Sequence, residues 1–183
     1  GASVGNYALF AGGIYDPLSS LISSTVDAYN TSLIHSTPTV LSVARRILAG
    51  ASVGNYALFA GGQQTGTISY RNTVDAYNAS LTRSTPTTLS VARGDLAGAS
   101  IGNYALFAGG YSGSGNYRDA VDAYNTSLTR STPTALSVGG SALAGASVGN
   151  YALFAGGYDS SLNYKNTVDA YNTSLTRSTP TAL

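Results

Sequence analysis

The sequence predicts an all-β propeller of four four-stranded blades, on three observations. The block GASVGNYALFAGG begins at Gly1, Gly50 and Gly145, with GASIGNYALFAGG at Gly98, a period of 47 to 49 residues. A second block follows in phase: TVDAYNTSL at Thr25, TVDAYNASL at Thr73, AVDAYNTSL at Ala120 and TVDAYNTSL at Thr167, each trailed by a Ser-Thr-Pro-Thr stretch. The segments between the turn signals are short and rich in Val, Tyr, Ala and Thr, which suits strands. About four strands in a tandem unit of about 50 residues is the arithmetic of a propeller blade.

The unit reads in order as follows. LAGASVG, Leu48 to Gly54, is a first strand of small residues for the crowded axis, and Gly54–Asn55 is a tight hairpin turn. YALFAGG, Tyr56 to Gly62, is a second strand whose unbroken apolar run implies burial on both faces. Its closing double glycine marks a close approach of backbones. TVDAYN, Thr73 to Asn78, is the third strand, and LTRSTPT, Leu81 to Thr87, the fourth, with Pro86 at an edge or end. The expected blades are 1–44, 45–92, 93–138 and 139–183, in one domain. A lone blade has two apolar faces and needs neighbours to cover them.

Composition narrows the function. Nine Lys and Arg against eight acidic residues leave a net charge of +1, which offers nothing to nucleic acid or an anionic membrane. No apolar run approaches the ~18 residues that would suggest membrane insertion. There is no Cys, Met, Trp or Glu. The chain therefore lacks a disulfide framework, a thiol nucleophile and the thioether chemistry of a propeller copper oxidase. Without Met or a basic leader, Gly1 reads as the start of a processed product or an excerpt.

At this point the repeat resembles the kelch family. The double glycine closing the second strand, the Tyr of the third, and an Arg sixteen residues before the double glycine (Arg45 to Gly61, Arg93 to Gly109) carry the resemblance. It covers essentially the whole chain. It implies a β-propeller whose loop face often holds a ligand site. Near-identical arrays of this kind resemble bacterial and phage structural or surface proteins, so an extracellular, cell-surface or virion location is expected. Two departures stand out. The fourth-strand Trp of the family is missing, with Arg83, Arg130, Arg177 and, in the first unit, His35 near its place. The third junction reads SVGGSAL, with Gly139 where Arg is expected.

Four whole blades with no strand left over allow three arrangements: a four-bladed ring, a part of a longer array, or a homodimer completing an eight-bladed ring. The small residues of the first two strands favour the two-copy ring, which would also hide the open edges of a half-ring.

Variation falls on one side of the disc. Loops joining strands one to two and three to four hardly change. The two–three loops (IYDPLSSLISS, QQTGTISYRN, YSGSGNYRD, YDSSLNYKN) and the junctions (RRIL, RGDL, GGSAL) carry nearly all the differences. They hold six of the fourteen tyrosines, Tyr15, Tyr70, Tyr111, Tyr117, Tyr158 and Tyr164. Tyr, Ser, Gly and Asn are the residues of adaptable binding surfaces. The pairs Tyr70–Arg71, Tyr117–Arg118 and Tyr164–Lys165 add cations that could bind a carboxylate beside a ring that could stack on a sugar. The candidate ligand residues are these six together with Tyr111 and Tyr158, and the expected partner is a protein or glycan. Solvated loops also vary without any ligand, and that reading stands beside the first.

Other repeated polar residues have ordinary explanations. Asp27, Asp75, Asp122 and Asp169 could ring a metal, but a bond to backbone, Arg or Thr explains them as well. Asn30, Asn78, Asn125 and Asn172 sit in N-x-S sequons, which here read as Asx turns. One His, His35, cannot supply a His-rich metal site. The absence of Glu, of a Ser-His-Asp set and of phosphate-binding loops argues for no enzyme and no cofactor.

Overall fold

A computed structural model describes residues 1–16, 21–64 and 69–183; the centres of the first two variable loops lie outside them. No described residue is helical. The first sheet holds β1 (Ala2–Val4) and β2 (Tyr7–Ala11). After a small ribbon of β3 (Ile14–Asp16) and β4 (Leu21–Ile22) come β5 (Val26–Asn30) and β6 (His35–Ser36). The second holds β7 (Ala49–Val53), β8 (Tyr56–Ala60), a ribbon of β9 (Gln63–Gln64) and β10 (Ser69–Tyr70), then β11 (Val74–Asn78) and β12 (Arg83–Ser84). The third is β13 (Ala97–Ile101), β14 (Tyr104–Ala108), β15 (Val121–Asn125) and β16 (Arg130–Ser131). The fourth is β17 (Ala144–Val148), β18 (Tyr151–Ala155), β19 (Val168–Asn172) and β20 (Arg177–Ser178). Each sheet is an antiparallel meander, which makes four propeller blades.

The apolar runs are buried as their pattern requires. Ala57, Leu58, Phe59 and Ala60 of β8 are all buried, so both faces of the second strand are covered. The fourth strand is two residues long, not the seven of Leu81 to Thr87. The cause is local. Asn78 Oδ1 accepts from Ser80 N and Thr82 N, and this Asx turn holds Leu81 in the left-handed region at φ 59°. The same turn recurs at Asn30, Asn125 and Asn172. Pairing starts only after it and ends where Thr85–Pro86 leaves the sheet.

Innermost strands pack backbone to backbone. Ser52 Oγ donates to Ser3 O, and Ser52 N and Ser100 N donate to the Ser100 and Ser147 hydroxyls, a serine ladder through all four blades. One residue-pair away, a Cβ on Gly50, Gly98 or Gly145 would collide with the carbonyl oxygen of Gly1, Gly50 or Gly98 respectively. Those glycines are there for space, not for a special φ.

The aspartate row is the centre of each blade junction. Ser42 donates from N and Oγ to Asp75 (3.1 and 3.0 Å), and Arg45 NH1 lies 2.7 Å from its Oδ2. The Arg45 head also donates to Val43 O and Phe59 O, and Arg83 approaches the same carboxylate from the fourth strand. Ser90, Arg93, Arg130 and Asp122 repeat the arrangement. Arg45, Arg93, Asp75 and Asp122 side chains are wholly buried. Tyr77, Tyr124 and Tyr171 donate to Thr39, Thr87 and Thr134 carbonyls of the preceding unit, each at 2.8 Å. Burial raises the pKa of all three phenols, so they remain donors. The fourth-strand cation also crosses the interface: Arg83 NH1 donates to Val40 O at 2.7 Å.

The blades form an arc and not a closed four-bladed ring. Phe10 is 55% exposed, while its equivalents Phe59, Phe107 and Phe154 are at most 1% exposed. At the other end every residue of β17 is exposed, whereas β7 and β13 alternate between buried and half-buried. Among the described residues no hydrogen bond joins residues 1–44 to 139–183.

Candidate binding face

The variable loops begin at the double glycines, which are pinned between two junctions. Gly61 and Gly62 have φ 67° and 108°. A Cβ there would lie 2.5 Å from Arg93 O and 2.8 Å from Arg46 O, so only glycine fits. Gly62 N donates to Arg93 O and Gln63 N to Arg46 O, tying each loop base to the junctions on both sides. The next residue, Gln63, Tyr111 or Tyr158, then pairs with the far end of its own loop, Tyr70, Tyr117 or Tyr164.

This backbone arrangement brings the tyrosines together. Tyr70 meets Tyr111 edge to face at 5.6 Å between ring centroids. Tyr111 lies 4.9 Å from Tyr117, and Tyr117 meets Tyr158 edge to face at 5.8 Å. The row crosses from the second blade to the fourth without a break. Such pairs add about 0.5–1.5 kcal/mol each beyond area burial. Burial pushes the Tyr70 and Tyr117 phenols up, helped by neighbouring tyrosines, so these two hydroxyls stay neutral. Tyr164 stands beyond the end of the row, 92% exposed, and with Leu162 and Tyr158 lines a shallow cavity. Tyr15, on the first blade, is 68% exposed and makes no ring pair among the described residues.

The basic residues do not join the rings. Arg71 NH2 donates to Gln64 Oε1, and Arg118 Nε donates to Ser112 Oγ at 2.7 Å. Consecutive residues of extended backbone point to opposite sides, so a Tyr-Arg dipeptide separates its ring from its cation. The sequence reading passed over Gln63, whose Oε1 accepts from Arg46 Nε at 2.9 Å, and Asp95, whose carboxyl pKa is raised by burial and lowered in part by Arg46. Their signal was positional: residues 47, 95 and 142 occupy one place in the repeat and differ as Ile, Asp and Ala, and residue 63 is Gln where 111 and 158 are both Tyr.

Lys165 is engaged at a blade junction. The junction residue lacking its arginine is Gly140, not Gly139: Gly140 N donates to Arg118 O and its carbonyl accepts from Gly110 N, as Arg93 does one blade earlier with Arg71 and Gly62. In the space left by that guanidinium, Lys165 Nζ donates to Val138 O at 2.8 Å. Arg93 NH1 makes the equivalent bond to Val91 O, and Arg45 NH1 to Val43 O. Desolvation lowers the Lys165 pKa, and the nearby Asp169 opposes that. The two departures compensate each other. Lys165→Ala is expected to cost about 1–2 kcal/mol in urea unfolding, and measurably less in a Gly140→Arg background, with a coupling of about 1 kcal/mol. Additive effects in that double-mutant cycle would refute the substitution of one cation for the other.

Among the described residues no group of three metal-ligating side chains occurs. No family model matches the sequence, and no curated protein sequence does. The fold is similar to the solved structure of YjhT, with a TM-score of 0.74 at 12% identity, over 90% of this chain and 54% of that one. The chain thus spans about half the length of YjhT, and at this identity the likeness concerns the fold.

Proposed function

We propose that the chain is a non-catalytic propeller array whose variable loop face binds an extended glycan or protein ligand. The carrying observation is the tyrosine row from Tyr70 to Tyr158, continued by the exposed Tyr164. Half-buried rings fixed by their neighbours offer apolar area with little ordering cost, and their hydroxyls supply hydrogen bonds. The uncharged row suits a sugar face or a flat peptide better than an anion. The kelch-type reading of the repeat supports a ligand on this loop face. The place that suits such an array is a bacterial surface or a phage particle.

The test is a glycan and protein array screen with the 183-residue chain. Tyr117 lies mid-row, so Tyr117→Ala should weaken any hit at least about tenfold, the scale of one binding hot spot. A hit that binds Tyr117→Ala, Tyr111→Ala and wild type alike removes the row from the site.

A second reading has its own support. The exposed Phe10 and Tyr29 at one end of the arc and the exposed β17 at the other are residues that lie buried between blades elsewhere in the chain. They favour an assembling array, in which a homodimer completes an eight-bladed ring.

A further inference from the structure

In the first blade Asp27 lacks the partners that its equivalents have. Asp75 and Asp122 each receive a serine from N and Oγ and an arginine three residues later. Among the described residues Asp27 has only His35, whose Nε2 lies 2.7 Å away at the fourth-strand position, and its side chain is 42% exposed. Beside it lies an open cleft of about 410 Å³ lined by Phe10, Gly12, Ile14, Tyr15, Ser23 and Asp27, among others. Phe10 and Asp27 correspond to Phe59 and Asp75, which hold the Arg45 head in the second blade.

We infer that this cleft is a binding slot for an extended Leu-Ser-Val-x-Arg segment of another repeat of this kind, supplied from outside residues 1–183. The recognition chemistry is displayed twice in the chain. A guanidinium meets a carboxylate, a serine caps the same carboxylate from backbone and side chain, and the leucine ahead of it (Leu41 or Leu89) lies buried against the blade. The His35–Asp27 contact leaves the junction side of the carboxylate open, because in the second and third blades the fourth-strand cation and the junction cation reach one carboxylate together. The inference rests on the open end face of the second reading but not on its homodimer: the slot specifies what any added blade must carry. A second copy could cover the face, but its Ser42–Arg45 and Ser90–Arg93 segments are already engaged in their own junctions.

The experiment titrates the chain with a labelled synthetic peptide of residues 37–46, TPTVLSVARR, followed by anisotropy and calorimetry, with light scattering on the chain alone. Saturable one-to-one binding is expected. It should weaken at least about tenfold for peptides carrying Arg45→Ala or Ser42→Ala, and likewise for Asp27→Asn protein. Asp159→Asn, on the opposite end of the arc, should change nothing. No saturation up to about 1 mM, or equal binding of the Arg45→Ala peptide, overturns the slot; the peptide variants decide this without altering the protein. A chain that stays at 18.5 kDa at every concentration but binds the peptide refutes self-assembly and leaves the slot standing. A chain that assembles but ignores the peptide does the reverse.

Discussion

Arg93→Ala should lower folding stability by about 3–5 kcal/mol, because it leaves the Asp122 carboxylate buried without its main counter-ion. Both side chains are wholly buried, and the Arg93 head spans Val91 O, Phe107 O and Asp122. Burial lowers the guanidinium pKa and Asp122 raises it, but an arginine keeps its charge, so truncation leaves one unbalanced charge. Ser90 and Arg130 soften the loss without cancelling it. The measurement is urea unfolding of wild type, Arg93→Ala and the control Arg46→Ala, whose Nε bonds only to the Gln63 side chain on the loop face. Equal shifts for Arg93 and Arg46 would refute the assignment. Adding Asp122→Ala to Arg93→Ala should recover part of the loss, since the stranded carboxylate is then gone.

Gly98→Ala should be comparably damaging, by about 3 kcal/mol or more, for a steric reason. The added methyl would collide with Gly50 O and lie 3.0 Å from Gly50 C, on a backbone that cannot withdraw. β7 and β13 are each held by a full pairing partner and by the Ser52–Ser100 bond. Gly145→Ala makes the same collision with Gly98 O, but β17 is exposed along its length and can shift outward. The gap between the two variants is the informative quantity. Hydrogen exchange should show the loss at the inner strands for Gly98→Ala. Equal unfolding midpoints for the two variants would show that the inner strands yield freely.

Much of this was legible in the sequence. The repeat period, the apolar second strand, the small first strand and the Asx turns all express local preferences that the fold keeps. The Asp–Arg pairing was visible as one ordinary option for a repeated carboxylate. What could not be read was depth. Arg45 and Arg93 stood in the sequence as family markers near a variable junction, and only the threading of that junction under the next blade shows them fully buried. Lys165 read as a ligand cation because it follows Tyr164. Its head instead turns to Val138 O, because a glycine 25 residues earlier left the space. Such compensation joins residues distant in sequence, so no local pattern announces it. The tyrosine row was half legible: the residues were named, but their edge-to-face contact depends on loop bases fixed by neighbouring blades.

The junction geometry has a genetic consequence. Ser42, Arg45 and Asp75 all lie within one repeat length, as do Ser90, Arg93 and Asp122, and as do Ser137, Lys165 and Asp169. Recombination between repeats that starts and ends just before the junction serine carries the serine, cation and aspartate together, while the tyrosine hydroxyl and fourth-strand arginine bonds are remade to the equivalent backbone carbonyls of whichever unit precedes. The altered Gly140–Lys165 pair travels together in the same way. A lineage can therefore change the number of blades in a single event and inherit interfaces that already fit.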